Sequence, residues 1–80
     1  MPLPIIFAVA GVLAGGALGA YGGAKLGSWL KSTLSDEEQR AVATACAKFG
    51  IKSGEDVKKL PAEKQKQFAK TLEDIKNKAT

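Results

Sequence analysis

The chain has 80 residues, with 12 Lys and Arg, 8 Asp and Glu, no histidine and one cysteine, and its formal net charge is +4. A single cysteine, Cys46, excludes an internal disulfide and a multi-thiolate metal site, and the lack of histidine removes the commonest catalytic acid–base group. We therefore predict a non-enzymatic protein with no catalytic residues, no metal site and no cofactor.

The N-terminal segment is apolar and has no charged side chain before Lys25. As one helix, residues 1–24 would be roughly 36 Å long, which exceeds the hydrocarbon core of a bilayer, about 30 Å. We therefore predict one transmembrane helix with its interfacial flank over residues 1–31. A cleaved secretory signal fits less well, because nothing basic precedes Ile5 and the apolar run is longer than a signal needs. A buried helix of a soluble protein would require burial in an oligomer.

Basic residues follow this segment and none precedes it. By the positive-inside rule, this asymmetry predicts an inner or plasma membrane protein with its N-terminus outside and its C-terminus in the cytoplasm. Aromatic and basic side chains near the end of the span are expected at the membrane interface. These interface residues are Tyr21, Lys25, Trp29 and Lys31.

Small residues recur every fourth position in the same segment and form two neighbouring rows. The first row is Gly11, Gly15, Gly19, Gly23 and Gly27, and the second is Gly16, Ala20, Ala24 and Ser28. This spacing resembles the glycine-zipper pattern shared by many unrelated membrane proteins, in which small residues let helix backbones approach closely. The resemblance implies packing against other transmembrane helices, either in a homo-oligomer or in a larger complex. A generic membrane anchor rich in Gly and Ala is the alternative.

Residues 32–80 carry the signals of a small helical domain with two to three short helices. Ser35-Asp-Glu-Glu38 has the spacing of a capping box, and Gly50 is placed to end the helix that begins there. A second capping signal begins at Ser53, and Pro61 can open a third helix.

Apolar residues at helical spacing indicate a thin core for this domain. We predict Cys46 to be a small buried hydrophobe. The other expected core residues are Leu34, Val42, Phe49, Ile51, Val57, Leu60, Phe68, Leu72 and Ile75.

The many lysines of the C-terminal part form either a solvated face or a surface for anionic lipid or a nucleic acid backbone. Sequence-specific nucleic-acid recognition is disfavoured, because no aromatic-rich binding strip is present. We predict a small single-pass membrane protein that self-associates or docks through its glycine-zipper helix, as a structural or assembly subunit of a membrane complex. The alternatives are a pore-forming protein of the holin or toxin kind and a structural protein of a membrane-containing virion.

Overall fold

The computed structural model describes residues 4–32 and 34–78, apart from the side chains of Pro4 and Ala20. All regular secondary structure in these two ranges is helical, which confirms the predicted all-α class. The elements are α1 (Pro4–Ala14), a short 3-10 turn (Gly19–Tyr21), α2 (Gly23–Lys31), α3 (Asp36–Lys48), α4 (Gly54–Lys59) and α5 (Ala62–Lys78).

The N-terminal segment differs from the single helix predicted for residues 1–31. It is divided into α1 and α2, which pack against each other as an antiparallel hairpin. None of the described helices combines the length and the hydrophobicity that crossing a bilayer requires. The prediction of one continuous helix is therefore corrected to a pair of helices of 11 and 9 residues.

Glycines at positive φ cause this division. At the end of α1, Gly16 has φ +97°, and the N–H of Ala17 donates to the carbonyl of Val12 over 3.1 Å while the N–H of Gly16 donates to Leu13 over 3.0 Å. This pair of hydrogen bonds is a Schellman motif, in which a residue without Cβ takes the left-handed conformation that ends a helix. Further glycines with positive φ, at positions 19 and 22, turn the chain back toward α1.

Two matched apolar stripes hold the hairpin together. Each follows the i, i+3, i+4, i+7 spacing of one helix face. The buried residues are Ile6, Val9, Ala10 and Leu13 on α1, and Gly23, Leu26, Gly27 and Leu30 on α2. Gly27 lies at the closest approach, since a Cβ built there would stand 2.7 Å from the backbone nitrogen of Ala14 and 3.1 Å from the carbonyl oxygen of Ala10.

The C-terminal helices begin and end where local signals predict. The Ser35 hydroxyl accepts the N–H of Glu38 over 3.1 Å, and the Glu38 carboxylate accepts the N–H of Ser35 over 2.8 Å, which lowers the pKa of Glu38. At the other end of α3, Gly50 has φ +70° within a second Schellman motif, in which the N–H of Ile51 donates to the carbonyl of Cys46.

Both halves of the chain share one core. Helix α1 packs against α2, α3 and α4, and α5 packs against α2 and α3. Gly54 brings α4 close to α1, because a Cβ there would overlap Val12 and stand 2.8 Å from the carbonyl oxygen of Ala8. The predicted core residues are buried (Leu34, Val42, Cys46, Ile51, Val57, Phe68, Leu72) or partly buried against that core (Phe49, Leu60, Ile75). The hairpin thickens this core with its own leucines and Ile6.

Alanine substitutions at two helical glycines distinguish the hairpin from a continuous helix. Both Gly11→Ala and Gly27→Ala gain about 1 kcal/mol of helix propensity. We expect only Gly11→Ala to stabilise the protein, because its added Cβ would have no atom within 4 Å apart from the neighbouring residues and backbone of α1. Gly27→Ala forces α1 and α2 apart, with an expected net loss of about 1–3 kcal/mol. Urea unfolding followed by circular dichroism measures both changes, and an equal gain at the two positions would contradict the hairpin.

Candidate functional site

The exposed face of α1 is entirely apolar. We name the exposed residues Phe7, Ala8, Gly11 and Ala14 the outer face. At 100° per residue they cover an arc of roughly 120°, opposite the stripe that packs into the core. Phe7 is 56% exposed, the most of any large hydrophobic residue in the described ranges. A solvent-facing helix surface ordinarily carries polar side chains. An exposed apolar face of this kind is typical of a surface that contacts another protein or a membrane.

A groove with a different character lies between the hairpin turn, the start of α2 and helix α5. It encloses about 540 Å³. Its lining residues are Tyr21, Gly22, Lys25, Leu26, Lys66, Ala69, Lys70, Glu73, Lys76 and Asn77. We name it the lysine groove, because its four lysines face a single carboxylate, that of Glu73. Leu26 and Ala69, each 3% exposed, supply an apolar floor.

The predicted interface residues are divided between the two ends of the hairpin. Tyr21, 38% exposed, and Lys25 lie at the turn end, in the lysine groove. Lys31 lies at the other end, where it lines a smaller groove together with Phe7. Trp29 is half-buried and packs against the core, and it shares a shallow groove with Lys25 and Lys76.

The predicted helix-packing residues have three different environments. Gly11, Gly15 and Ala24 are exposed, and Gly16 and Gly19 belong to the turn. Gly23 lies against Leu18, with a built Cβ 3.2 Å from the Leu18 Cβ, and Gly27 lies against α1. The side chain of Ala20 lies outside the described residues. Close backbone packing at Gly27 occurs within the chain, and packing of this row against a second chain stays a prediction.

Sequence reasoning missed the lysine groove. Lys66 and Lys70, together with Glu73, follow the i, i+4, i+7 spacing of one face of α5, and this spacing could have been recognised. Their proximity to Lys25 follows only from the packing of α2 on α5.

Comparison with protein families, with curated proteins and with solved structures finds no match for this chain. Its function is therefore inferred from the two surfaces described above.

Two further kinds of candidate site in the described part of the chain are a metal site and the thiol of Cys46. No group of three or more Cys, Asp or Glu residues there is placed to hold a metal ion. The thiol of Cys46 is 1% exposed, and burial raises its pKa to about 11, so that it remains protonated near neutral pH.

Thiol modification tests this assignment of Cys46. At about pH 8, the thiolate fraction of a buried thiol with this pKa is on the order of 100-fold below that of an ordinary cysteine. We expect an aromatic disulfide reagent to react with the folded protein at least about 100-fold more slowly than with the urea-unfolded protein. Similar rates in the two states would instead make Cys46 an accessible, reactive thiol.

Proposed function

We propose that this protein is a small, non-enzymatic, membrane-associated protein that acts as a structural or assembly subunit, and that α1 is its membrane-contacting element. The observation that carries the proposal is the outer face, on which Phe7 and three small residues meet solvent without one polar neighbour on the helix. Transfer of such a face from water to hydrocarbon has a favourable free energy, because it removes apolar surface from water and desolvates no polar side chain.

The distribution of charge supports a lipid partner over a soluble one. No charged side chain precedes Lys25, and the chain then carries all 12 of its basic residues. Each Lys or Arg near an anionic membrane surface contributes about 1 kcal/mol of attraction. On this proposal the C-terminal helices lie on the cytoplasmic side of an inner or plasma membrane, and the N-terminus crosses toward the outside.

The spanning form of this proposal requires the hairpin to open. Residues 4–31 as one helix would be roughly 42 Å long, which is sufficient for a tilted span. The turn contains no proline and no charged residue, and each of its glycines can also adopt helical dihedrals. In this form the exposed, unobstructed backbone at Gly11 would be available for a neighbouring helix, which is the means of self-association we propose.

Vesicle binding tests the role of the outer face. We expect Phe7→Glu to reduce the bound fraction in vesicle flotation strongly, because a carboxylate would have to enter hydrocarbon at a cost of about 2 kcal/mol or more. Ala47→Glu is the matched control, since it places the same charge at an exposed position of α3 that does not belong to the outer face. Equal binding by both variants would remove the outer face from any membrane contact.

Spin labels at positions 7 and 31 report whether the hairpin opens. In a Cys46→Ala background, Phe7→Cys and Lys31→Cys place both labels around one small groove of the hairpin. Because Phe7 belongs to the outer face, the vesicle spectra are recorded only on the bound fraction collected by flotation. In a continuous helix the same positions would be roughly 36 Å apart. We expect pulsed dipolar spectroscopy to show a short distance in buffer and the long one in vesicles.

Singly labelled protein is the control for this measurement, and any coupling it shows in vesicles reports contact between copies. A distance that stays short on bound protein would exclude the spanning form. The surface contact proposed for the outer face would then remain.

A further inference from the structure

We propose that the lysine groove binds the phosphate of an anionic phospholipid headgroup. This inference deepens the proposed function by naming the ligand, and it rests on that function. Lysines from two helices converge in this groove, with Lys25 on α2 and Lys66, Lys70 and Lys76 on α5.

The charge of the groove favours a phosphate. Four ammonium groups against one carboxylate leave a local excess of three positive charges. Lys25 and Lys76 also line the neighbouring shallow groove beside Trp29, so the positive surface continues along α2. Lysine is a flexible point charge with three donors, and several lysines can close around a phosphate without a preformed geometry.

The floor and rim of the groove favour a lipid as the source of that phosphate. The buried residues Leu26 and Ala69 supply the apolar floor, and Tyr21, which is exposed, also lines the groove. An apolar surface beside cationic groups suits an amphiphile, whose phosphate meets the ammonium groups while its glycerol and first methylenes cover the floor. Tyrosine and lysine at such a boundary are typical of the membrane interface.

The position of the groove along the chain also suits a headgroup. Lys25 is the first charged residue after the apolar segment, so it is the first side chain that must remain at headgroup level if the segment enters the bilayer. All four lysines lie on α2 and α5 and none on α1, so contact of the outer face of α1 with a membrane surface leaves all four in the groove.

A nucleic acid backbone is the competing ligand for a set of lysines. Single-stranded nucleic acid is ordinarily bound along an extended track with several aromatic side chains that stack on successive bases. The lysine groove has one ring, that of Tyr21, so it lacks the series of stacking side chains that such a track needs.

Two triple variants with the same net charge test the proposal. Lys25→Gln, Lys66→Gln and Lys70→Gln reduce the net charge of the groove from +3 to zero, since Lys76 and Glu73 remain. Lys48→Gln, Lys52→Gln and Lys58→Gln remove three exposed lysines that do not line it. The probes are phosphatidylcholine vesicles with and without phosphatidylglycerol. At about 1 kcal/mol per lysine, we expect the groove triple to bind phosphatidylglycerol vesicles on the order of 100-fold more weakly than the native protein. The control triple should lose several-fold less.

The outcomes separate this inference from the proposed function. Equal losses in the two triples would overturn the groove and leave membrane association standing, because diffuse attraction depends only on net charge. Failure of the native protein to bind either kind of vesicle would overturn both. A groove triple that loses single-stranded RNA binding but retains vesicle binding would assign the groove to nucleic acid instead. Replacement of the same three lysines by arginine keeps the charge and should restore vesicle binding, which controls for damage to the fold.

Discussion

Close contact between α1 and α2 at Gly27 is the constraint on which the remaining fold depends. With no side chain at this position, the backbone of α2 can lie against Ala14 and Ala10. This contact holds α1 where its other flank can meet α3 and α4, and Gly54 permits the second close approach. Helix α1 thus becomes the shared packing partner of three helices. The C-terminal helices, whose own apolar residues make a thin core, gain from it the side chains that complete that core.

The C-terminal helices were predictable because their signals are local. Ser35 and Glu38 satisfy each other's backbone groups within one turn, and Gly50 ends α3 through hydrogen bonds that span only five residues. The burial of Cys46 follows from its place on the apolar stripe of the same helix. These features need no knowledge of what the helix packs against, so the sequence alone was sufficient for them.

The N-terminal hairpin was not predictable from the glycine row, because the sequence does not distinguish a glycine with helical dihedrals from a glycine at positive φ. The period-four row favours a continuous helix, whereas the glycines that turn the chain recur every third residue, at positions 16, 19 and 22. Only contacts distant in sequence decide between them. A usable signal was nevertheless present, since the stripes beginning at Ile6 and at Gly23 have identical spacing and so can face each other. The lysine groove depends on still more distant packing, that of α2 on α5.

The buried residues of α1 are all apolar, so the protein core and the hydrocarbon of a bilayer are nearly equivalent environments for them. For Val9 and Leu13, transfer from the bundle to lipid replaces one apolar surround by another, so little hydrophobic free energy changes on that side. The outer face behaves differently, because Phe7 meets water in the bundle and would meet hydrocarbon in the membrane. Against this gain stand the lost packing at Gly27 and the cost of several glycines in a continuous helix. The free-energy difference between the hairpin and the spanning helix therefore depends on few residues. Contacts between Lys25 and lipid headgroups require no loss of apolar packing, so they stabilise the membrane-bound state.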